Sequence, residues 1–415
     1  MKEIVIVGAG ASGLAAAVTA AQNGAKVKVI EKNNKPGKKL LATGNGRCNI
    51  TNLDMCASKY RGHNIWFVEE LLKKYDTERI LEFFAGLSVM TRNINGYVYP
   101  YSLQASTIVD KLVSECNSLG VAIITDTEVL DIQNNNEGGF VVHAVKSQDN
   151  NKSRLTYKAD SVIISTGSIA GTKSKNLNDM FGTELAKKTG HRVYDIVPGL
   201  TGLVCNNSYQ KYVSGVRWNT KVSLLVDNKA CVSEQGELQF ADYGISGIVV
   251  FQVSRYAALA LKENKKVRVK LDFMPEYDRK DLEEFIVKRM ENFQRLSIYD
   301  LLSGIFNSKL TSFILLNSKI DGSMKSGRLK NIDGLINVIK GLELEVTNTR
   351  AFEYSQVCAG GVDVSMIDNT MESKLVKGMY FTGEILDIDG ICGGYNLHFA
   401  FATGIEAGEQ AGKSI

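Results

Sequence analysis

Six residues near the start of the chain, Gly8-Ala9-Gly10-Ala11-Ser12-Gly13, have the spacing that lets a backbone grip phosphate. They follow the apolar run Glu3–Val7 and open an Ala/Leu-rich stretch reaching about Asn23. Gly24 ends that stretch, and Lys26–Glu31 reads as a second strand. Inside a β-α-β unit a G-x-G-x-x-G becomes a dinucleotide fingerprint. Gly8 allows the tight turn, Gly10 lets the backbone approach a pyrophosphate, and Gly13 lets helix and strand pack closely. The N–H groups of Ala11, Ser12 and the residues after them then face the anion. Glu31, at the end of the second strand and beside Lys32, is placed to accept from ribose hydroxyls, and its charge disfavours a 2′-phosphate.

Two later segments point to a long dinucleotide held at both ends. The strand Ser161–Ser165 ends in Thr166-Gly167. Far downstream, Gly378–Thr382 runs into Gly383-Glu384, then Asp387, Asp389 and Gly390, and Gly393-Gly394-Tyr395-Asn396 opens another helix. A second helix start is what a flavin wants near its N1/O2 edge, where charge gathers on reduction. FAD needs this piece and NAD does not; a plain helix entry is the alternative for Gly393-Gly394. Tyr395 and Cys392 flank this start and are the catalytic candidates. Tyr395 can protonate a carbanion beside a carbonyl or simply be a packed aromatic. Cys392 can equally be a small buried residue. His398, one turn into the helix, and His191, after Gly190, read as structural.

The remaining elements must position these residues. With 415 residues the chain exceeds one core. Helical periodicity runs over Ile65–Leu87 and Ser102–Leu119, and strands over Gly96–Tyr101, Val121–Ile132, Gly139–Lys146 and Ala159–Ser165. After about Gly190 the texture turns β-rich, with strands over Val193–Cys205, Lys221–Val226, Glu237–Phe240 and Val267–Phe273 and a helix over Ile245–Lys262. Residues 275–339 read as polar helices, and Leu342–Asn348 as a returning strand. The fold class expected is α/β: a Rossmann-type domain from both chain ends (1–190 and 349–415), an inserted β-rich domain (191–274 and 340–348) and a small inserted helical lobe (275–339).

Composition removes several classes of function. Hydrophobic residues are 44% and charged residues 23%, ordinary for a soluble globular chain. The formal charge of +4 permits an anionic partner without demanding one. Seven scattered cysteines with no C-x-x-C argue against a disulfide framework, a zinc site or a dithiol relay, and fit a reducing cytoplasm. Four histidines with no H-E-x-x-H leave no metal site expected. No apolar run reaches membrane-spanning length. No second G-x-G-x-x-G follows a strand, so NADH or NADPH, as transient donor, would bind without a Rossmann domain of its own.

Gly37-Lys38-Lys39 and Thr43-Gly44-Asn45-Gly46-Arg47-Cys48-Asn49-Ile50-Thr51-Asn52 resemble the signature of a bacterial family of NAD(P)/FAD-dependent oxidoreductases that includes the bile-acid-induced reductases. The likeness continues at Gly96–Pro100, Tyr243–Gly247, Gly360-Gly361-Val362, Gly383–Gly390 and Gly393–Asn396, spanning nearly the whole chain. Ile248 stands where many members have proline. The resemblance implies FAD, an inserted β domain and an inserted helical domain. It implies that the Gly46-Arg47 loop and Lys39 lie along the cofactor, with Arg47 on pyrophosphate or flavin, or else in a structural salt bridge. It also implies adenine contacts from the backbone at Glu128-Val129. The activity implied is hydride transfer from reduced FAD to an activated C=C bond, such as a 3-oxo bile-acid enone in 7-dehydroxylation. Other readings are reduction of uridine in ribosomal RNA, an amine or amino-acid oxidase, and a non-enzymatic flavin-binding module. For RNA, a patch from Lys280 to Lys330 on the helical lobe would serve, or be only a solvated face. DNA is not expected as a partner.

Overall fold

A computed structural model describes residues 1–135, 138–148, 151–172 and 180–413. The chain parts into two compact units, one of residues 1–196 and 356–415, the other of residues 197–355. The first unit is built on a five-stranded parallel sheet in the order Met379–Phe381, Ser161–Ile164, Glu3–Val7, Lys26–Ile30, Ala122–Ile124. Its inner strands are runs of Ile and Val, buried on both faces as a parallel sheet requires.

The expected β-α-β unit is present, with a helix over Ala11–Gln22. That helix packs along the C-terminal helix Tyr395–Gly412. The closeness depends on glycine. A Cβ on Gly404 would lie 2.3 Å from the Ser12 carbonyl oxygen, one on Gly408 2.4 Å from that of Ala16, and one on Gly412 3.0 Å from that of Ala20. Thr19 Oγ1 also donates to the Ile405 carbonyl at 3.3 Å.

Several elements differ from the sequence expectations. The helix expected over Ile65–Leu87 is two, Trp66–Lys74 and Thr77–Gly86. Asp76 breaks it by capping the second: its carboxylate accepts from the Arg79 N–H at 2.8 Å. The stretch 121–132 holds two strands, Ala122–Ile124 and Thr127–Asn134, and the latter joins an antiparallel meander with Phe140–Gln148 and Asn151–Ala159. The third meander strand was not expected, because its first half, Asn151–Arg154, is exposed and polar and only its last residues alternate.

In the second unit six strands close a barrel, in the order Leu203–Asn206, Gly244–Ser246, Lys229–Ala241, Arg217–Val226, Val267–Asp272, Leu342–Thr349. The span Val193–Cys205 is therefore two strands, and the helix after Gly247 begins at Ile248. The helices Arg279–Asn292, Ile298–Ser303, Ser308–Ser318 and Asp333–Gly341 share one apolar core with this barrel, including Phe240, Phe273, Phe313 and Ile336.

Replacing Gly408 with Leu should push the first and last helices apart, lowering stability by roughly 2–3 kcal/mol in urea unfolding; an unchanged midpoint would contradict the packing.

Candidate functional site

The fingerprint turn is shaped by backbone contacts. Gly8 has φ +103°, and a Cβ there would lie 2.5 Å from the Ser165 carbonyl oxygen. A Cβ on Gly13 would lie 1.9 Å from the Gly8 carbonyl oxygen. Gly10 behaves differently: nothing lies within 4 Å of an added Cβ. It caps the helix without any side-chain hydrogen bond, so the first-turn N–H groups of Ala11, Ser12 and Gly13 take no partner from the capping side. This is the geometry of an anion cradle.

Glu31 is buried and braces the turn. Its Oε2 accepts from the Ala9 N–H at 2.8 Å, and its Oε1 from the Asn33 N–H at 2.8 Å and Asn33 Nδ2 at 2.6 Å. A carboxylate offers about four lone-pair positions, so one on Oε2 is left for a further donor. Lys32 is exposed beside it. The Glu31 carbonyl accepts from the Thr127 N–H at 2.9 Å, which brings Val129 near the end of the second strand. Val129 is buried, and the meander register shifts between it and Asp131.

Thr166 and Gly167 follow the strand that meets Gly8. The Thr166 hydroxyl is turned toward Gly182, whose added Cβ would come within 2.2 Å of it, while Gly167 (φ +67°) faces open space. Gly383 seats on the fingerprint helix: an added Cβ would lie 2.6 Å from Ser12 Oγ, and its N–H donates to Thr403 Oγ1 at 2.9 Å. Glu384 and Lys39 form an ion pair, and Glu384 Oε1 accepts from the Cys358 N–H at 2.9 Å. These two expected cofactor contacts are thus brought to each other.

The second glycine-opened helix start is wrapped by the Gly46–Asn52 loop. Gly394 has φ +95°, and a Cβ there would meet Asn49 Oδ1 and the Thr51 carbonyl, each at 2.7 Å. Asn52 Nδ2 donates to the Gly393 carbonyl at 2.9 Å. Asn49 Oδ1 is buried and accepts from no described residue. Gly46 (φ +89°) faces open space, and the exposed Arg47 guanidinium has no carboxylate partner among the described residues, with Tyr99 as its electrostatic neighbour. The structural salt bridge considered for Arg47 is thus not formed among the described residues. Asn396 holds the turn before the helix, accepting from the Gly390 N–H at 2.7 Å and donating to its carbonyl at 2.8 Å.

The two catalytic candidates are less available than their positions suggested. Tyr395 is buried, donates to the Asp54 carbonyl at 3.2 Å and packs edge-on against Tyr60 at 6.0 Å. Burial raises its phenol further from a useful range. Burial pushes the Cys392 thiol up to about 12, and it donates to Gln356 Oε1 at 3.7 Å. His398 Nδ1 accepts from Thr51 Oγ1 at 2.8 Å and Nε2 donates to the Tyr75 carbonyl at 2.9 Å, and burial lowers it to about 4. His191 bonds Ser373 Oγ at 2.7 Å, and burial lowers it too. Sequence reasoning passed over His63, a lone histidine in a polar loop with no motif around it. Its Nδ1 meets Asp387 Oδ2 at 2.7 Å.

A model of the HI0933-like protein Rossmann domain matches residues 2–410. The chain belongs to that family. It is 38% identical, over all of both chains, to a 3-dehydro-bile acid delta(4,6)-reductase from Clostridium scindens. It is 28% identical to a ribosomal RNA dihydrouridine synthase from Haemophilus influenzae, over 97% of this chain and 96% of that one. In fold it is similar to a 3-ketosteroid delta1-dehydrogenase from Sterolibacterium denitrificans, with TM-score 0.51 and 11% identity over 99% of this chain and 100% of that one. No helix among the described residues is long and apolar enough to cross a membrane.

His398 yields a pH prediction. Its folded value, about 4 against an ordinary 6.5, means the unfolded chain takes up the proton first. Stability is therefore present above pH 6.5 and lost as pH falls toward 4, by on the order of 3 kcal/mol. Urea midpoints at pH 7 and 4.5 should show this fall, and His398→Gln should flatten it; equal slopes in both proteins would contradict the assignment. The cradle yields another. Gly10→Val should leave melting unchanged and abolish flavin binding, whereas Gly13→Val should unfold the unit; retained flavin in Gly10→Val would mean the phosphate sits elsewhere.

Proposed function

We propose that the chain is an FAD-dependent oxidoreductase that reduces an activated C=C bond of a small apolar substrate, such as a 3-oxo bile-acid enone. The cofactor rests on one observation: an open helix start at Gly10 and a second, glycine-built helix start at Gly394 lie in the same unit, with Gly383 seated on Ser12 of the first helix. The substrate class rests on the full-length relative that carries the bile-acid reductase name.

The residues fit the cofactor. The N–H groups of Ala11, Ser12 and Gly13 bind the pyrophosphate, and Gly10 gives it room. Glu31 takes a ribose hydroxyl on the remaining Oε2 position, and the backbone at Val129 lines the adenine. Lys32 and Arg47 supply positive charge to phosphate or flavin, Arg47 by a two-pronged contact. Gly46, Thr166 and Gly167 border the cofactor with backbone. Asn49 Oδ1, beside Gly394 and without a described partner, would be available to accept an N–H of the bound cofactor. Lys39 and Glu384, paired, lie along it as a neutral unit. The helix start at Gly394, Tyr395 and Asn396 would stabilise negative charge through the helix dipole. Bound FAD supplies a two-electron carrier able to hand on a hydride. NADH or NADPH is the transient donor, in the cytoplasm, without a dedicated dinucleotide domain.

A second reading, reduction of uridine in ribosomal RNA, rests on the 28% identical relative of that name and calls on the same C=C chemistry. Two of the basic residues considered for RNA are engaged within the unit: Arg289 lies over Phe285 and Phe293, and Lys280 pairs with Glu284.

Anaerobic stopped-flow separates these. The NADH-reduced protein should be re-oxidised rapidly by a 3-oxo-4,6-diene bile acid and not by ribosomal RNA fragments. Re-oxidation by RNA alone would move the assignment to the second reading. Re-oxidation by oxygen alone, with peroxide released, would indicate an oxidase and sink both.

A further inference from the structure

The loop at Gly62–Asn64 sets an imidazole on a buried carboxylate. Asp387 is 1% exposed. Its Oδ2 accepts from the His63 backbone N–H at 2.9 Å and from His63 Nδ1 at 2.7 Å. Gly62 makes the approach feasible: a Cβ there would lie 2.3 Å from the Asp387 carbonyl oxygen. The other oxygen, Oδ1, is buried and accepts from no described residue. A link needed only to hold this loop would be met by a neutral acceptor, without a carboxylate left half bare in the interior.

The imidazole itself is half in solvent, its side chain 51% exposed. It stacks on Tyr194, centroids 3.5 Å apart and planes 7° from parallel. Tyr194 donates to Asp363 Oδ2 at 3.4 Å, Arg192 stands 3.3 Å from the same oxygen, and Asn64 Nδ2 donates to Asp363 Oδ1 at 3.0 Å. The ring is thus fixed on one edge by a carboxylate and on one face by an anchored phenol. Nε2 pairs with no described residue. A carboxylate on Nδ1–H sets the tautomer, leaving Nε2 as the position that exchanges a proton. Asp387 lies on the chain segment between Gly383, seated on the fingerprint, and the glycine pair at 393–394.

We propose that His63 is the proton donor in the reduction, with Asp387 as its positioning residue. This rests on the reading that the chain reduces a C=C bond. The bond takes up two electrons and two hydrogens. One carbon receives the hydride that bound FAD supplies; the neighbouring carbon receives the proton from His63 Nε2–H. The C=C π bond breaks, two C–H bonds form, and the neutral imidazole recovers its proton from solvent.

The test uses the full-length protein. His63→Ala should bind FAD and the dienone as the wild type does and be reduced by NADH at the same rate. Its re-oxidation by the dienone should fall at least about 100-fold, with partial recovery in added imidazole. Asp387→Asn should lower the re-oxidation rate with little change in dienone affinity. Long-range ¹H–¹⁵N spectra of the protein without FAD should show His63 protonated at Nδ1 in the wild type and at Nε2 in Asp387→Asn. Wild-type re-oxidation rates in His63→Ala, or a loss that imidazole does not restore, would overturn the proposal. So would an Nε2–H tautomer in the wild type. A wild-type protein that neither the dienone nor RNA re-oxidises would instead overturn the reading beneath it.

Discussion

The first unit depends on how closely two helices from opposite ends of the chain can lie. Gly404, Gly408 and Gly412 set the backbone of the last helix against Ser12, Ala16 and Ala20 of the first. Side chains there would force an ordinary helix separation, and Gly383 could no longer seat on Ser12. Glycines cost helix propensity, about 1 kcal/mol each, which the burial of the last helix offsets: Phe399, Phe401, Ala402 and Ile405 are all in the core. Joining chain ends across an insertion as long as residues 197–355 is tolerable because loop-closure entropy grows only logarithmically.

The same contact organises the charges. The acidic side chains near the cradle are engaged before any ligand arrives, Glu31 by the turn it braces and Glu384 by Lys39 and the Cys358 N–H. What stays open is donor capacity: the first-turn N–H groups at Gly10 and the guanidinium of Arg47. A region with its acids engaged and its donors bare suits a polyanion, and it uses backbone dipoles that are fixed in place beforehand.

Much of this was legible in the residues. The fingerprint, Glu31, the apolar parallel strands and the glycine pair at 393–394 each have a local signature, because backbone geometry dictates residue type there. Other features had none. The first halves of Asn151–Ala159 and Lys229–Ala241 are mostly exposed, so their strand character there comes largely from neighbours. The helix break at Asp76 was readable as a cap, Asp76-Thr77, but the apolar periodicity on either side hides it. Gly404, Gly408 and Gly412 read as poor helix formers until the facing helix is known. His63 and Asp387 meet only through the tertiary fold, as do Tyr395 and the Asp54 carbonyl that engages its hydroxyl.

The most direct check of the central claim, that both chain ends together hold one FAD, is a titration of the purified protein with FAD and separately with FMN, followed by the flavin's visible absorbance and fluorescence. Saturation is expected at one FAD per chain, with much weaker binding of FMN, which lacks the pyrophosphate and adenosine that the Gly10 and Glu31 region would grip. Protein that remains colourless with excess FAD, or that binds FMN as well as FAD, would contradict it.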